Sequence, residues 1–313
     1  MRDLRQRGGQ ARHILRNPLL RKELRQRMRS GRTVLGLSLY LLVIGAIAFV
    51  FMYVNVQGQT LLLQPTRTAE LFTFLSYLQL ALISFVTPGI AAGVISGERE
   101  RQTLSVLLTT PLSPLSVILA KWLASISFLS LLIIMTLPLY SIVFLFGGVV
   151  PSQVFAVFVL QFVELGALAS VSVFWSTWLR RTLWSTVLSY ATTAALFLGF
   201  AVVGYLADTV AARNPDQVIW SYLAGVSYAL NPMYMQASLE SSSGFLAPNF
   251  YNPAFASIFQ TVQAHSLSAL PAWLLFFTVY AAGSALLLVA SAVRLRPGSL
   301  AIVGRRLIRW MSR

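Results

Sequence analysis

Runs of apolar residues separated by short polar breaks set the rhythm of this 313-residue chain. Read by length, the runs cover 33–54, 70–96, 115–147, 152–179, 183–207 and 269–293. A helix rises about 1.5 Å per residue, so roughly 20 apolar residues cross a hydrocarbon core of about 30 Å. The pattern therefore predicts six membrane-spanning helices. The third run contains Pro138, which predicts a kink there or an end near Leu137. The first run begins near Thr33 and lacks a small-residue cleavage site, so it reads as a retained span rather than a cleaved signal. A long segment, 208–268, parts the last two runs. Its piece VIWSYLAGVSYAL is apolar and aromatic but too short to cross. It is predicted to be an interfacial or re-entrant helix, with Trp220, Tyr222 and Tyr228 at headgroup level. No internal repeat is visible.

Composition agrees with that pattern. Hydrophobic residues make up 57% of the chain and charged ones 11%, against about 25% charged in soluble domains. The net charge of +15 sits mostly at the ends: 11 of the 24 Lys and Arg precede residue 33 and six follow residue 293. That placement argues against nucleic acid as a partner. With both termini on one side, only Arg67 and Arg213 fall on the other. Basic residues are retained on the cytoplasmic face, so both termini are expected inside the cell membrane. Cysteine is absent, which excludes disulfides and thiolate metal sites. Neither His13 nor His265 has a partner in the pattern that would suggest a metal.

Two polar segments carry the functional signal. In the N-terminal arm, Asn17-Pro18 opens LLRKELRQRMRS, where Leu20, Leu24 and Met28 recur every four residues and Lys22, Glu23 and Arg25 lie between them. This is a basic amphipathic helix suited to the headgroup layer and to membrane lipid. Between the second and third runs lies GERERQTLSVLLTTPLS. Four charges, Glu98, Arg99, Glu100 and Arg101, and then Thr103 precede Leu104, Leu107 and Leu108 at helical spacing. Pro111 stops that helix, and Ser113-Pro114 caps and opens the next. A short amphipathic helix at the mouth of two spans is a shape for docking a soluble partner.

Inside the spans, Pro88 precedes Gly89, Gly93 and Gly97, a strip of small residues where another helix can approach closely, in the same chain or another subunit. Glu164 lies midway along the fourth run, with Gln161 one turn away and Gln79 in the second run as candidate hydrogen-bond partners. A carboxyl at that depth faces a polar path or forms a neutral interhelical clamp. The chain lacks a phosphate-binding G-x-x-x-x-G-K-[ST] loop, an H-E-x-x-H motif and a serviceable serine-hydrolase motif. No catalytic residue, cofactor or metal site of its own is expected.

On the residues NPLLRKELRQRMRSGRT and GERERQTLSVLLTTPLS, the chain resembles the membrane subunits, or permeases, of type-2 ATP-binding-cassette exporters. An Asn-Pro before the last span, here Asn231-Pro232, also fits them. The resemblance implies an all-α integral membrane protein. Residues 1–32 would form a cytoplasmic interfacial helix, 33–293 the six-span domain, and 294–313 a basic cytoplasmic tail. It implies that about 97–110 is a coupling helix seated on a separate ABC ATPase subunit, which binds ATP and Mg. Transport would be ATP-driven, through a path formed with a second permease copy or a paralogue. A secondary transporter or channel, and a scaffold that recruits a soluble protein, are the rival readings of six basic-inside spans.

Overall fold

The computed structural model describes residues 31–56, 65–104, 113–145, 149–214, 216–241 and 272–295. These are helical throughout, with no strand among the described residues. The N-terminal helix from Pro18 to Met28, the later coupling-segment residues Leu107, Leu108 and Pro111, and the basic tail beyond Leu295 lie outside them.

In chain order the helices are α1 (Gly31–Val56), α2 (Pro65–Ala91), α3 (Ser96–Glu100), α4 (Pro114–Met135) and α5 (Leu137–Leu145). There follow α6 (Pro151–Trp178), α7 (Thr182–Ala194), a π-turn at Ala195–Gly199, and α8 (Phe200–Arg213). The series closes with α9 (Val218–Leu230), α10 (Pro232–Ser241) and α11 (Ala272–Arg294). Proline opens α2, α4, α6 and α10, where its missing N–H costs nothing and its fixed φ suits a first turn. At α4 the expected cap is in place: Ser113 Oγ accepts the Ser116 amide at 3.2 Å.

Five helical segments are long and apolar enough to cross a membrane: Ala69–Glu100, Pro114–Ser141, Pro151–Trp178, Thr182–Arg213 and Ala272–Arg294. The helix α1 has 26 residues, and its apolar stretch Ser38–Val50 falls short of that criterion. The break in the third span comes at Thr136, two residues before Pro138, and Thr136 Oγ1 folds back onto the Ile133 carbonyl at 2.6 Å.

The long helix α6 is the axis of the bundle. It packs on α2, α4, α7, α10 and α11, and 61% of its apolar window is buried, against 17% for Thr182–Arg213. Its Ser170, Ser172 and Thr177 hydroxyls donate to carbonyls four residues back. Local satisfaction of this kind lets hydroxyls sit in an apolar core without unpaired protons. A cluster around Ile44, Phe72, Leu129, Ile133, Val157 and Leu165 joins α1, α2, α4 and α6.

The segment after α8 folds back as a helical hairpin. Helix α9 packs along α8 and, with α10, on α11. Tyr228 is buried against Ala207, Ala224, Trp220 and Tyr234. A Cβ at Gly204 would come within 2.8 Å of the Tyr228 ring, so only glycine allows this approach. Asn231 breaks the hairpin. Its Oδ1 accepts the Met233 amide at 2.9 Å, capping α10, and its Nδ2 donates to the Phe197 carbonyl at 2.6 Å inside the π-turn. Wide π-turns release backbone acceptors, and here a side chain from the next element takes one.

Candidate coupling site and polar seam

The Glu-Arg-Glu-Arg run closes the second span with charges, and each of the first three finds a partner inside the chain. Beyond Ala91 the helix loosens into a turn before α3. The amides of Ile95 and Ser96 donate to Ser176 Oγ at 2.9 and 3.0 Å, which ties the turn to α6. Glu98 Oε1 accepts from Lys121 Nζ at 2.6 Å, with the lysine side chain only 3% exposed. Arg99 donates through Nη1 to the Leu179 carbonyl at 2.8 Å and through Nη2 to the Thr177 carbonyl at 3.2 Å. It thereby caps the C-terminus of α6, where a cation also meets the negative end of the helix dipole. Glu100 does the converse at the N-terminus of α7, accepting the Thr182 amide at 2.7 Å and its hydroxyl at 2.9 Å. Arg101 is exposed.

The run is thus a junction of α3 with α4, α6 and α7. A correction concerns the helix itself. The segment 97–110 is not continuous, because α3 ends at Glu100 and Gln102 has φ 58°. The Thr103 amide donates to Glu98 O at 2.9 Å and the Gln102 amide to Arg99 O at 3.1 Å. Those two bonds define a Schellman turn, with glutamine in the left-handed position that glycine usually fills. Helix resumes at Leu104, which is buried with Ile95, Ile118, Val173 and Leu288. Leu104 is therefore a core residue of the chain and not part of an open docking face.

The glycine strip is also occupied from within. A Cβ at Gly89 would meet the Tyr190 hydroxyl at 3.1 Å, and one at Gly93 would meet Thr182 Cγ2 at 3.2 Å. Gly97 faces Thr182 Oγ1 at 3.8 Å. The partner is α7, so the strip serves packing between two spans of one chain. Tyr190 then donates to the Phe85 carbonyl at 2.9 Å, three residues before Pro88.

A family model described as ABC-2 family transporter protein matches residues 18–297. The chain belongs to that family. No curated protein matches it. ABC-2 permeases generally work with an ABC ATPase partner, and the five long apolar helices make this permease a multi-pass membrane protein.

Further back along α2, from Ser84 to Ser76, the permease carries a second polar region. Glu164 is fully buried, and its Oε1 accepts from Ser84 Oγ at 3.2 Å. Gln161 and Gln79, expected beside it, bond elsewhere. Gln161 Nε2 donates to the Ser76 carbonyl at 3.2 Å, and Gln79 Oε1 accepts from the Tyr140 hydroxyl at 2.8 Å. Glu240, on the hairpin, was invisible as a site in the sequence because it sits in a polar stretch far from any span. Its Oε1 accepts from Ser76 Oγ at 2.5 Å and from Gln236 Nε2 at 3.1 Å. Gln153 Nε2 donates to the Glu240 carbonyl at 2.9 Å and holds α10 to the start of α6. Burial pushes the Glu240 carboxyl up to about 7, against the smaller downward pull of its Ser76, Thr73 and Gln236 hydrogen bonds. Lys121, Ser176 and Thr182 were likewise not recognised as partners of the charged run. The signal available was Lys121 itself, a lone lysine in an apolar run, which requires an acidic partner.

Proposed function

We propose that this chain is the permease half of an ATP-driven exporter, with α1 as a sixth span and both termini in the cytoplasm of the cell. One observation carries the reading. The charged run after the second span is bonded to three other spans at once, through Lys121, the α6 carbonyls and Thr182. A push on the segment that begins at Arg101 is therefore delivered to four helices together, as a rigid-body transition requires. The chain itself does no chemistry. ATP and Mg bind in the partner, and the permease shapes the path and receives the stroke.

Contact with the ATPase falls to Arg101, Gln102 and Thr103, which are exposed, and to Leu107 and Leu108 beyond them. The segment 18–28, read from the sequence as a basic amphipathic helix, is proposed to flank that contact. The large uncovered faces of Thr182–Arg213 and Ala272–Arg294, only 17% and 22% buried, suit lipid and a second permease copy or paralogue.

The test is a pull-down of the tagged chain from its native membrane in mild detergent, followed by mass spectrometry. A stoichiometric P-loop ATPase released by Leu107→Asp supports the reading, because a charge forced into an apolar groove is costly. Recovery of the permease alone, with other complexes intact, overturns it in favour of a secondary carrier. Leu104→Asp is not a clean variant for this purpose, since Leu104 is in the core.

A further inference from the structure

Four spans end together near Trp178, which closes α6; Thr182 opens α7, Arg294 closes α11 and Glu100 closes the second span. Their ends bring basic side chains to one corner of the bundle. The Arg294 guanidinium lies over the Trp178 ring, 5.2 Å from its centroid, in the geometry of a cation–π contact. Arg99, which caps α6, is close enough to Arg180 and Arg294 for their charges to repel. Guanidinium groups from α3, α11 and the turn after α6 thus share one corner.

The neighbouring carboxylates are already engaged. Glu98 binds Lys121, and Glu100 holds the Thr182 amide and hydroxyl with Arg181 close by. Arg180 is exposed and has no acidic partner among the described residues. Like charges gathered in this way repel, and an anion between them relieves the repulsion. The surroundings indicate what carries that anion. Trp178 is 48% exposed, and Leu183 and Trp184 in the first turn of α7 are 66% and 56% exposed. Guanidinium groups beside uncovered indole and aliphatic side chains, at the ends of membrane spans, suit a headgroup layer. A free inorganic anion would leave those apolar surfaces uncovered, whereas an acyl chain covers them.

We propose that Arg180 and Arg294, the latter stacked on Trp178, bind the phosphate of an anionic phospholipid. The indole covers one face of the Arg294 guanidinium, and phosphate is recognised at the edge of such a group, where its N–H donors lie. Arg99 stands behind the pair and adds positive potential. No cavity is needed, because a phosphate in the headgroup layer meets exposed side chains at the rim of the bundle. The lipid sits against the Arg99 cap on α6, so it steadies the junction that receives the ATPase contact. That link rests on the function proposed above, whereas the binding requires only that the chain lie in a membrane.

The experiment supplies the purified full-length permease, in mild detergent, with dioleoylphosphatidylglycerol, dioleoylphosphatidylcholine or sodium phosphate. Native mass spectrometry counts the retained lipid, and thermal unfolding reads its effect. One phosphatidylglycerol should be held more tightly than any phosphatidylcholine and should raise the unfolding temperature. Arg180→Gln alters an exposed side chain and should weaken that lipid roughly tenfold, the loss of one charge-assisted contact. Arg181→Gln removes the same charge one residue on, beside Glu100, and should keep it. Equal retention of the zwitterionic lipid or an unchanged lipid in Arg180→Gln overturns the proposal. So does an equal loss in Arg181→Gln, which reduces the effect to net charge. Equal stabilisation by sodium phosphate assigns the corner to a free anion and also overturns it. None of these outcomes touches the ATPase pull-down, so the two readings fail separately.

Discussion

Single residues decide most at the Glu98 end. Lys121 is buried, and its ammonium donates to Glu98 Oε1 at 2.6 Å. Taking the carboxylate from such a pair removes part of the compensation of a buried charge, and breaking a buried pair costs up to about 3–5 kcal/mol. Glu98→Gln should therefore lower the unfolding temperature far more than Glu100→Gln, whose carboxylate is exposed and bonded to Thr182. The double variant Glu98→Leu with Lys121→Met should recover much of the loss, since replacing both charges by apolar groups is close to neutral. Unfolding of the three variants side by side checks this. Glu240 gives a pH prediction. Its carboxyl titrates near 7 in the fold against 4.5 ordinarily, so the folded chain holds the extra proton between those values. Stability should fall as pH rises from about 4.5 to about 7, and Glu240→Gln should flatten that slope.

At the scale of elements, two junctions set the geometry. The Schellman turn after α3 puts Gln102 at φ 58°, a conformation that costs an L-residue roughly 1–2 kcal/mol and glycine almost nothing. Gln102→Gly should raise thermal stability, provided the Thr103 and Gln102 amide bonds persist. A fall in stability would mean that the glutamine side chain holds the turn. The hairpin depends on Gly204. A valine there meets the Tyr228 ring, and α9 must swing from α8. Gly204→Val should raise protease sensitivity around α9 while leaving the Glu98 junction intact, which limited proteolysis reads directly.

The whole molecule is arranged around α6, with one polar junction at the end of α2 near Glu98 and another near Ser76. The two lie about 20 residues apart along the second span, on either side of the turn at 92–95. The orientation is directly testable because the chain has no cysteine. Arg101→Cys should react with a membrane-impermeant maleimide only when the cytoplasmic face is open, and Asp216→Cys should react from outside intact cells. Both positions are exposed. Labelling from the reverse sides would invert the topology.

Taken alone, the sequence determined that the chain is helical and membrane-embedded, because hydropathy and run length are local properties that lipid reads residue by residue. It also marked a helix start at Pro114, a break near Pro138, and a charged segment after the second span. The same local signals carry the family likeness. What the sequence could not decide was which way each polar side chain turned. Glu98 and Lys121 are 23 residues apart, and whether they meet depends on how α3 approaches α4. Leu104 has the spacing of an amphipathic face in either environment, and only the packing of Ile118, Val173 and Leu288 puts it inside. Glu240 stands in a stretch that reads as a surface loop, yet α10 folds back onto α2 and buries its carboxyl beside Ser76. Hydrogen-bond partners 80 to 164 residues apart, such as Ser84 with Glu164 and Ser76 with Glu240, exist only once the bundle closes. Periodicity fixes a residue's face on its own helix, and only tertiary packing decides what that face meets.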